Sequence, residues 1–389
     1  MRMVKTRIAF ATGSRADYGI VRRYLGLLNE DSEIELEILV TGALLDDEYG
    51  HQEDLIYEDG FKIGAEIALP IRTYTDADIV NCMAAALDGF GKHFAMYRYD
   101  LLIILGDRYE MLSVATAASM QRVPILHLHG GEATFANYDE FIRHCITKMS
   151  LYHFTATEVY RNRVIQLGEH PDRVFNLGAL GAENCCYINE DNVPETVKGL
   201  KGNAYFVILF HPETLTNVDV AEQIEELLRA IQRYKHYQFV FLGSNADTHS
   251  EIIRKRVHDF VENSDNTIYY ENLHTDAYHF LLKNSLCLIG NSSSGIIEAP
   301  SLGIYTINIG QRQDGRVKGN SVIDVNCRDQ EIAEAIKKVV EKHNVITPEN
   351  PYFQENSAEK YYITTKNIIK RLDKDLMYPK IFYDLGKLF

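Results

Sequence analysis

Short runs of consecutive apolar residues alternate along this chain with longer stretches whose apolar positions recur every three or four residues. The first pattern predicts strands buried on both faces, the second amphipathic helices. In the N-terminal half the runs fall at 7–12, 35–41, 101–105, 123–128, 152–155 and 174–177, with helical periodicity at 19–28, 79–90, 110–120 and 139–149. Such alternation implies a parallel sheet covered by helices on both sides. A polar stretch at 189–203 interrupts the pattern and reads as a linker. Strand runs resume at 205–210, 238–242, 267–270, 286–289 and 305–309, predicting a second parallel-sheet domain. The expected class is α/β, divided at 1–188 and 204–355, with a C-terminal helix and tail over 356–389 packing back on the N-terminal domain. Two joined α/β domains place a ligand in their cleft, at the carboxyl ends of the strands.

Composition narrows the classes. The 389 residues exceed one ordinary core. No apolar run approaches a membrane span, and the run at 8–13 is too short for a secretory leader, so the expectation is a cytoplasmic protein without a membrane partner. The formal net charge of −15 argues against nucleic acid. Any anion site must therefore be built locally, from a few arginines and helix N-termini. The six cysteines are scattered, with no C-x-x-C pair, which disfavours a disulfide framework or a zinc site.

Chemistry-bearing residues cluster just after the predicted strands. Gly13-Ser14-Arg15-Ala16-Asp17-Tyr18 follows the first, and reads as an ordinary β–α turn or a phosphate-facing helix start. Gly106-Asp107-Arg108 ends another; Asp107 either faces a ligand or caps the next helix. The densest cluster is His127-Leu128-His129-Gly130-Gly131-Glu132 followed by Asp139-Glu140-Phe141-Ile142-Arg143-His144. It admits acid–base catalysis by Glu132 and Asp139, a metal site using His127, His129 and a carboxylate, or a polar turn with structural histidines. His211, in His211-Pro212-Glu213, occupies in the second domain the place that Gly13 holds in the first. Gly290-Asn291-Ser292-Ser293-Ser294-Gly295 sits between a buried strand and a helix, which favours diphosphate binding, and Glu298 one turn on could accept from ribose hydroxyls. Arg312 and Arg316 follow the next strand and could flank the same phosphates.

Taken in order, these motifs resemble the UDP-N-acetylglucosamine 2-epimerase family, most of all its bacterial hydrolysing type that supplies N-acetylmannosamine for sialic acid. The resemblance runs from the first strand to about residue 325. It implies two Rossmann-like domains in a glycosyltransferase-B-like arrangement, with the UDP-sugar substrate in the cleft. It implies Asp107, Glu132, Asp139 and His211 as catalytic residues. Substrate contacts would come from Arg15, Arg108, Arg143, Asn245, Ser292, Ser293, Ser294, Glu298, Arg312 and Arg316. No cofactor or metal is required by the family reaction, and relatives suggest a homo-oligomer, a dimer or tetramer. Two departures stand out: some relatives carry an acid where this chain has His129, and often histidine where it has Leu44. Rival expectations are the same reaction on a UDP-2,4-diacetamido sugar, a non-hydrolysing epimerase, a glycosyltransferase of the same architecture, and a sugar-nucleotide sensor without turnover.

Overall fold

The computed structural model describes residues 5–47, 51–72, 74–135, 137–216, 218–243, 248–341, 348–377 and 379–386. Seven parallel strands form the first sheet: β1 (Thr6–Thr12), β2 (Ile34–Thr41), β3 (Ile63–Ile67), β4 (Leu101–Leu105), β5 (Ile125–Leu128), β6 (Tyr152–Thr155) and β7 (Val174–Asn176). Their spatial order is β3-β2-β1-β4-β5-β6-β7. Six more form the second: β8 (Tyr205–Leu209), β9 (Gln238–Leu242), β10 (Thr267–Tyr270), β11 (Cys287–Gly290), β12 (Tyr305–Ile309) and β13 (Val322–Val325), in the order β10-β9-β8-β11-β12-β13. Both sheets reverse strand order once, between β1 and β4 and between β8 and β11. These are the points where open α/β sheets part their loops and admit ligands.

The continuous apolar runs have a simple cause. In β4, Leu101, Ile103 and Leu105 enter one core cluster while Leu102 and Ile104 enter another. In β8, Phe206 and Ile208 pack on one face and Tyr205 and Val207 on the other. Strands covered on both sides need apolar residues at every position. The edge strands β3 and β13 were not expected. Ile63-Gly64-Ala65-Glu66-Ile67 and Val322-Ile323-Asp324-Val325 are only partly buried, so they carry polar or small residues and no apolar run.

The stretch at 189–203 is more than a linker. Val193, Val197 and Leu200 are buried and pack with Tyr205, Phe280 and Leu281 of the second domain. The helix Ser357–Leu376 lays Ala358, Tyr361, Ile368 and Leu372 into the N-terminal core, beside Tyr24 and Phe154. Tyr352 knits the two domains where the chain returns. Its hydroxyl donates to the Val317 carbonyl at 2.9 Å and meets the Tyr160 hydroxyl at 2.6 Å, and its carbonyl accepts from Ala179 N–H at 2.9 Å. Among the described residues no helix is long and apolar enough to cross a membrane.

Candidate active site

A cavity of about 240 Å³ lies between the two sheets, at the carboxyl ends of their strands. Every catalytic or substrate-contact residue implied by the resemblance borders it except Asn245, which lies outside the described residues; His127, the candidate metal ligand, does not border it. The first sheet contributes the turns after β1, β4 and β5. The second contributes those after β8, β9, β10, β11 and β12.

After β1, Ser14 caps the helix Arg15–Glu30, its hydroxyl accepting from Asp17 N–H at 3.2 Å. A side chain at Gly13 would collide with Glu110, which is itself ion-paired to Arg108. The guanidinium of Arg15 has no carboxylate within ion-pair distance among the described residues, and burial lowers its pKa to about 10. A cation held this way favours an anionic ligand. Asp17 accepts from Ser14 Oγ at 2.8 Å, and burial raises its pKa to about 6, against the pull of Arg108.

Arg143 holds the turns after β4 and β5 together. It donates from Nη1 to the His129 carbonyl at 2.9 Å and from Nη2 to Asp107. Arg143 therefore borders the cavity with both terminal nitrogens already engaged by protein. Glu132 is 1 % exposed and lies between two partners, with His129 Nδ1 at 2.7 Å from Oε1 and Arg316 Nη1 at 2.8 Å from Oε2. Burial opposes its ionisation, but Arg316 and then His129 outweigh burial and hold the carboxyl well below the usual carboxylate range. Asp139 begins its helix 3.7 Å from Arg312 Nη2. His127 is turned elsewhere. Its Nε2 meets the Gly106 carbonyl at 2.8 Å and its Nδ1 the Thr147 hydroxyl at 3.1 Å, and burial pushes its pKa down to about 3. The two histidines of the H-x-H run thus do not offer imidazoles to one point.

On the second sheet, β8 and β11 approach closely because Gly290, at φ +149°, lacks a side chain that would strike the Leu209 carbonyl. Asn291 then clamps His211 from both sides, accepting from His211 N–H at 2.7 Å and donating to its carbonyl at 2.8 Å. Glu213 accepts from the N–H groups of Gln311 and Arg312 at 2.6 and 2.8 Å, which shapes the turn carrying Arg312 and Arg316. The serine turn is less helical than expected, since its helix spans only Ser294–Ile297. So short a helix has little macrodipole, and anion binding there would rest on hydroxyls and local N–H groups. Ser294 Oγ meets Tyr278 OH at 2.5 Å and Ser292 Oγ at 3.1 Å. Glu298 lies 3.6 Å from His279 Nε2.

The family model for UDP-N-acetylglucosamine 2-epimerase matches residues 27–365. The chain belongs to the UDP-N-acetylglucosamine 2-epimerase family. Among relatives of this family, the polysialic acid biosynthesis protein P7 of Escherichia coli is 46 % identical over 97 % of both chains. A GDP/UDP-N,N'-diacetylbacillosamine 2-epimerase (hydrolyzing) of Campylobacter jejuni is 33 % identical, over 87 % of this chain and 89 % of that one. The fold matches a UDP-GlcNAc 2-epimerase from Neisseria meningitidis, crystallised with UDP-GlcNAc, at a TM-score of 0.76, covering 94 % of this chain and all of that one at 16 % identity.

Sequence reasoning singled out neither Asn291 nor Glu213, nor Tyr278 and His279 in the helix Thr275–Lys283. The first two stood inside quoted motifs, and their burial is what marks them. Tyr278 and His279 stand in no motif, and only the tertiary structure brings their helix to the cavity.

Proposed function

We propose that this epimerase-family protein is hydrolysing, converting UDP-N-acetylglucosamine and water to N-acetylmannosamine and UDP for sialic acid synthesis. The observation that carries the reading is the division of the cavity. One wall holds Asp107, Glu132 and Asp139, and the other holds the serine hydroxyls; Arg15, from the turn after β1, borders the same cavity with no carboxylate within ion-pair distance among the described residues. Similarity to a polysialic acid biosynthesis protein across 97 % of both chains supports the pathway. Similarity to a relative named as hydrolyzing supports release of free UDP.

In this reading Arg15, Ser292 and Ser293 hold the diphosphate and Glu298 meets the ribose. The C2 proton lies next to no carbonyl, so a positioned base must remove it as UDP leaves C1, giving 2-acetamidoglucal. His211, fixed by Asn291, stabilises the departing diphosphate. Water then adds at C1, and C2 is reprotonated on the opposite face. Arg143 positions Asp107, and Arg312 positions Asp139. A UDP-2,4-diacetamido sugar is the second reading, favoured by the diacetylbacillosamine relative.

Proton NMR of the purified protein with UDP-N-acetylglucosamine in deuterated water tests both. Free UDP with N-acetylmannosamine deuterated at C2 is the expected result. UDP-N-acetylmannosamine without free UDP would overturn the hydrolytic step. Turnover of the diacetamido sugar alone would transfer the reading to that substrate.

A further inference from the structure

We propose that His129 is a catalytic base of this reaction, accepting the C2 proton at Nε2, with Glu132 as its positioning residue. This inference rests on the function proposed above. His129 borders the cavity and is 5 % exposed. Its Nδ1 is spent on Glu132 at 2.7 Å, while its Nε2 is buried and without a hydrogen-bond partner among the described residues. Such a ring is half-committed: one nitrogen is anchored and the other is left to act. His127, two residues earlier, shows the structural alternative, with both ring nitrogens bonded to protein and no share in the cavity wall.

Glu132 itself is poorly suited to take a proton. Both of its oxygens are occupied, one by His129 and one by Arg316. An ionised carboxylate against Nδ1 fixes the tautomer with the proton on Nδ1 and the lone pair on Nε2. The backbone is also held in place. His129 adopts φ +64°, in the left-handed region, with its N–H donating to the Phe154 carbonyl at 2.8 Å and its own carbonyl gripped by Arg143. Strain of this kind persists where surrounding structure over-determines it, as at functional sites.

In the step, the C2–H bond breaks and its proton forms the Nε2–H bond. The C–H electron pair becomes the C1=C2 double bond, and the C1–O pair departs with UDP. The resulting imidazolium is stabilised by Glu132, with Asp107 and Asp139 bordering the same cavity. Arg316 and Arg143 act on Glu132 beside it, and His127 nearby is kept neutral by burial.

His129→Asn is the decisive variant. Asparagine tolerates the left-handed backbone and retains an amide that can donate to Glu132, but it cannot accept the proton. UDP release and C2 deuterium exchange are expected to fall roughly 10²–10⁴-fold, with UDP affinity by calorimetry changed less than about threefold. Added imidazole should partly restore His129→Gly. Glu132→Gln should move the acidic limb of the kcat/KM profile to lower pH, because the imidazolium loses its counter-ion; a merely structural Glu132 would leave that limb in place. His129→Asn turning over within about threefold of wild type would overturn the proposal, as would loss of UDP affinity in step with turnover and no rescue by imidazole. Wild-type protein inert towards both candidate sugars would instead overturn the function proposed above, and this role with it.

Discussion

The two walls of the cleft come from sheets of the same topology, yet they are built on different principles. The first wall is a network of mutually engaged charges, Arg143 on Asp107 and His129 on Glu132, which Arg316 reaches from the second domain. The second adds hydroxyls, backbone and a clamped histidine, set by Asn291 and Glu213, and its arginines Arg312 and Arg316 are turned onto carboxylates of the first wall. The contrast fits a division of labour. Proton transfer demands side chains fixed to a fraction of an ångström, which interlocking ion pairs provide. Holding a diphosphate demands available donors, which a network that satisfied itself would consume.

The sharpest way to break this comparison is at the charged wall. Asp107→Asn should lower kcat roughly 10²–10⁴-fold while leaving UDP affinity within about threefold, measured by UDP release and calorimetry. If affinity fell as far as kcat, the walls would not be separable. The complementary variant, Arg15→Gln, should weaken UDP binding about 10–100-fold, the worth of a charge-assisted contact. Its kcat at saturation should stay within about threefold. Asn291→Ala removes both backbone bonds that hold His211 and should cost about 1–3 kcal/mol in denaturant unfolding. An unfolding midpoint equal to that of wild type would show that the clamp contributes nothing.

The smallest expected effect lies away from the cleft, and checks that the two walls can be perturbed without disturbing the scaffold. Glu169 is buried on the N-terminal domain, 3.0 Å from His153 Nε2 and 2.8 Å from both Lys148 and Lys380. Burial works against its ionisation, but His153 and the two lysines prevail and set its pKa at about 2. Because this is below its unfolded value, its stabilisation is complete above about pH 4.5 and is lost as pH falls towards 2. Thermal melts should therefore fall across that window in wild type, and Glu169→Gln should flatten the slope there while leaving UDP affinity at pH 7 unaltered.

Much of the fold was legible because central strands are buried on both faces and so betray themselves as unbroken apolar runs, as Leu101–Leu105 does. The edge strands β3 and β13 were not, since half-exposed backbone tolerates Gly64, Glu66 and Asp324. Val193, Val197 and Leu200 were hidden in a polar context that gave no periodicity to read. For the site, motif order alone gathered the candidates now found around one cavity. Their pairings were out of reach: nothing local in the chain places Arg143 on Asp107 and on the His129 carbonyl.

What the sequence by itself determined is local: the period of each element, the α/β class, and chemistry concentrated in the turns that follow strands. What only the tertiary structure decided is which of those groups meet. Glu132 and Arg316 lie far apart in the chain and 2.8 Å apart in space. Whether a buried carboxylate acts as a base or as a fixed counter-charge depends on such a partner, and hydrophobic patterning carries no information about it.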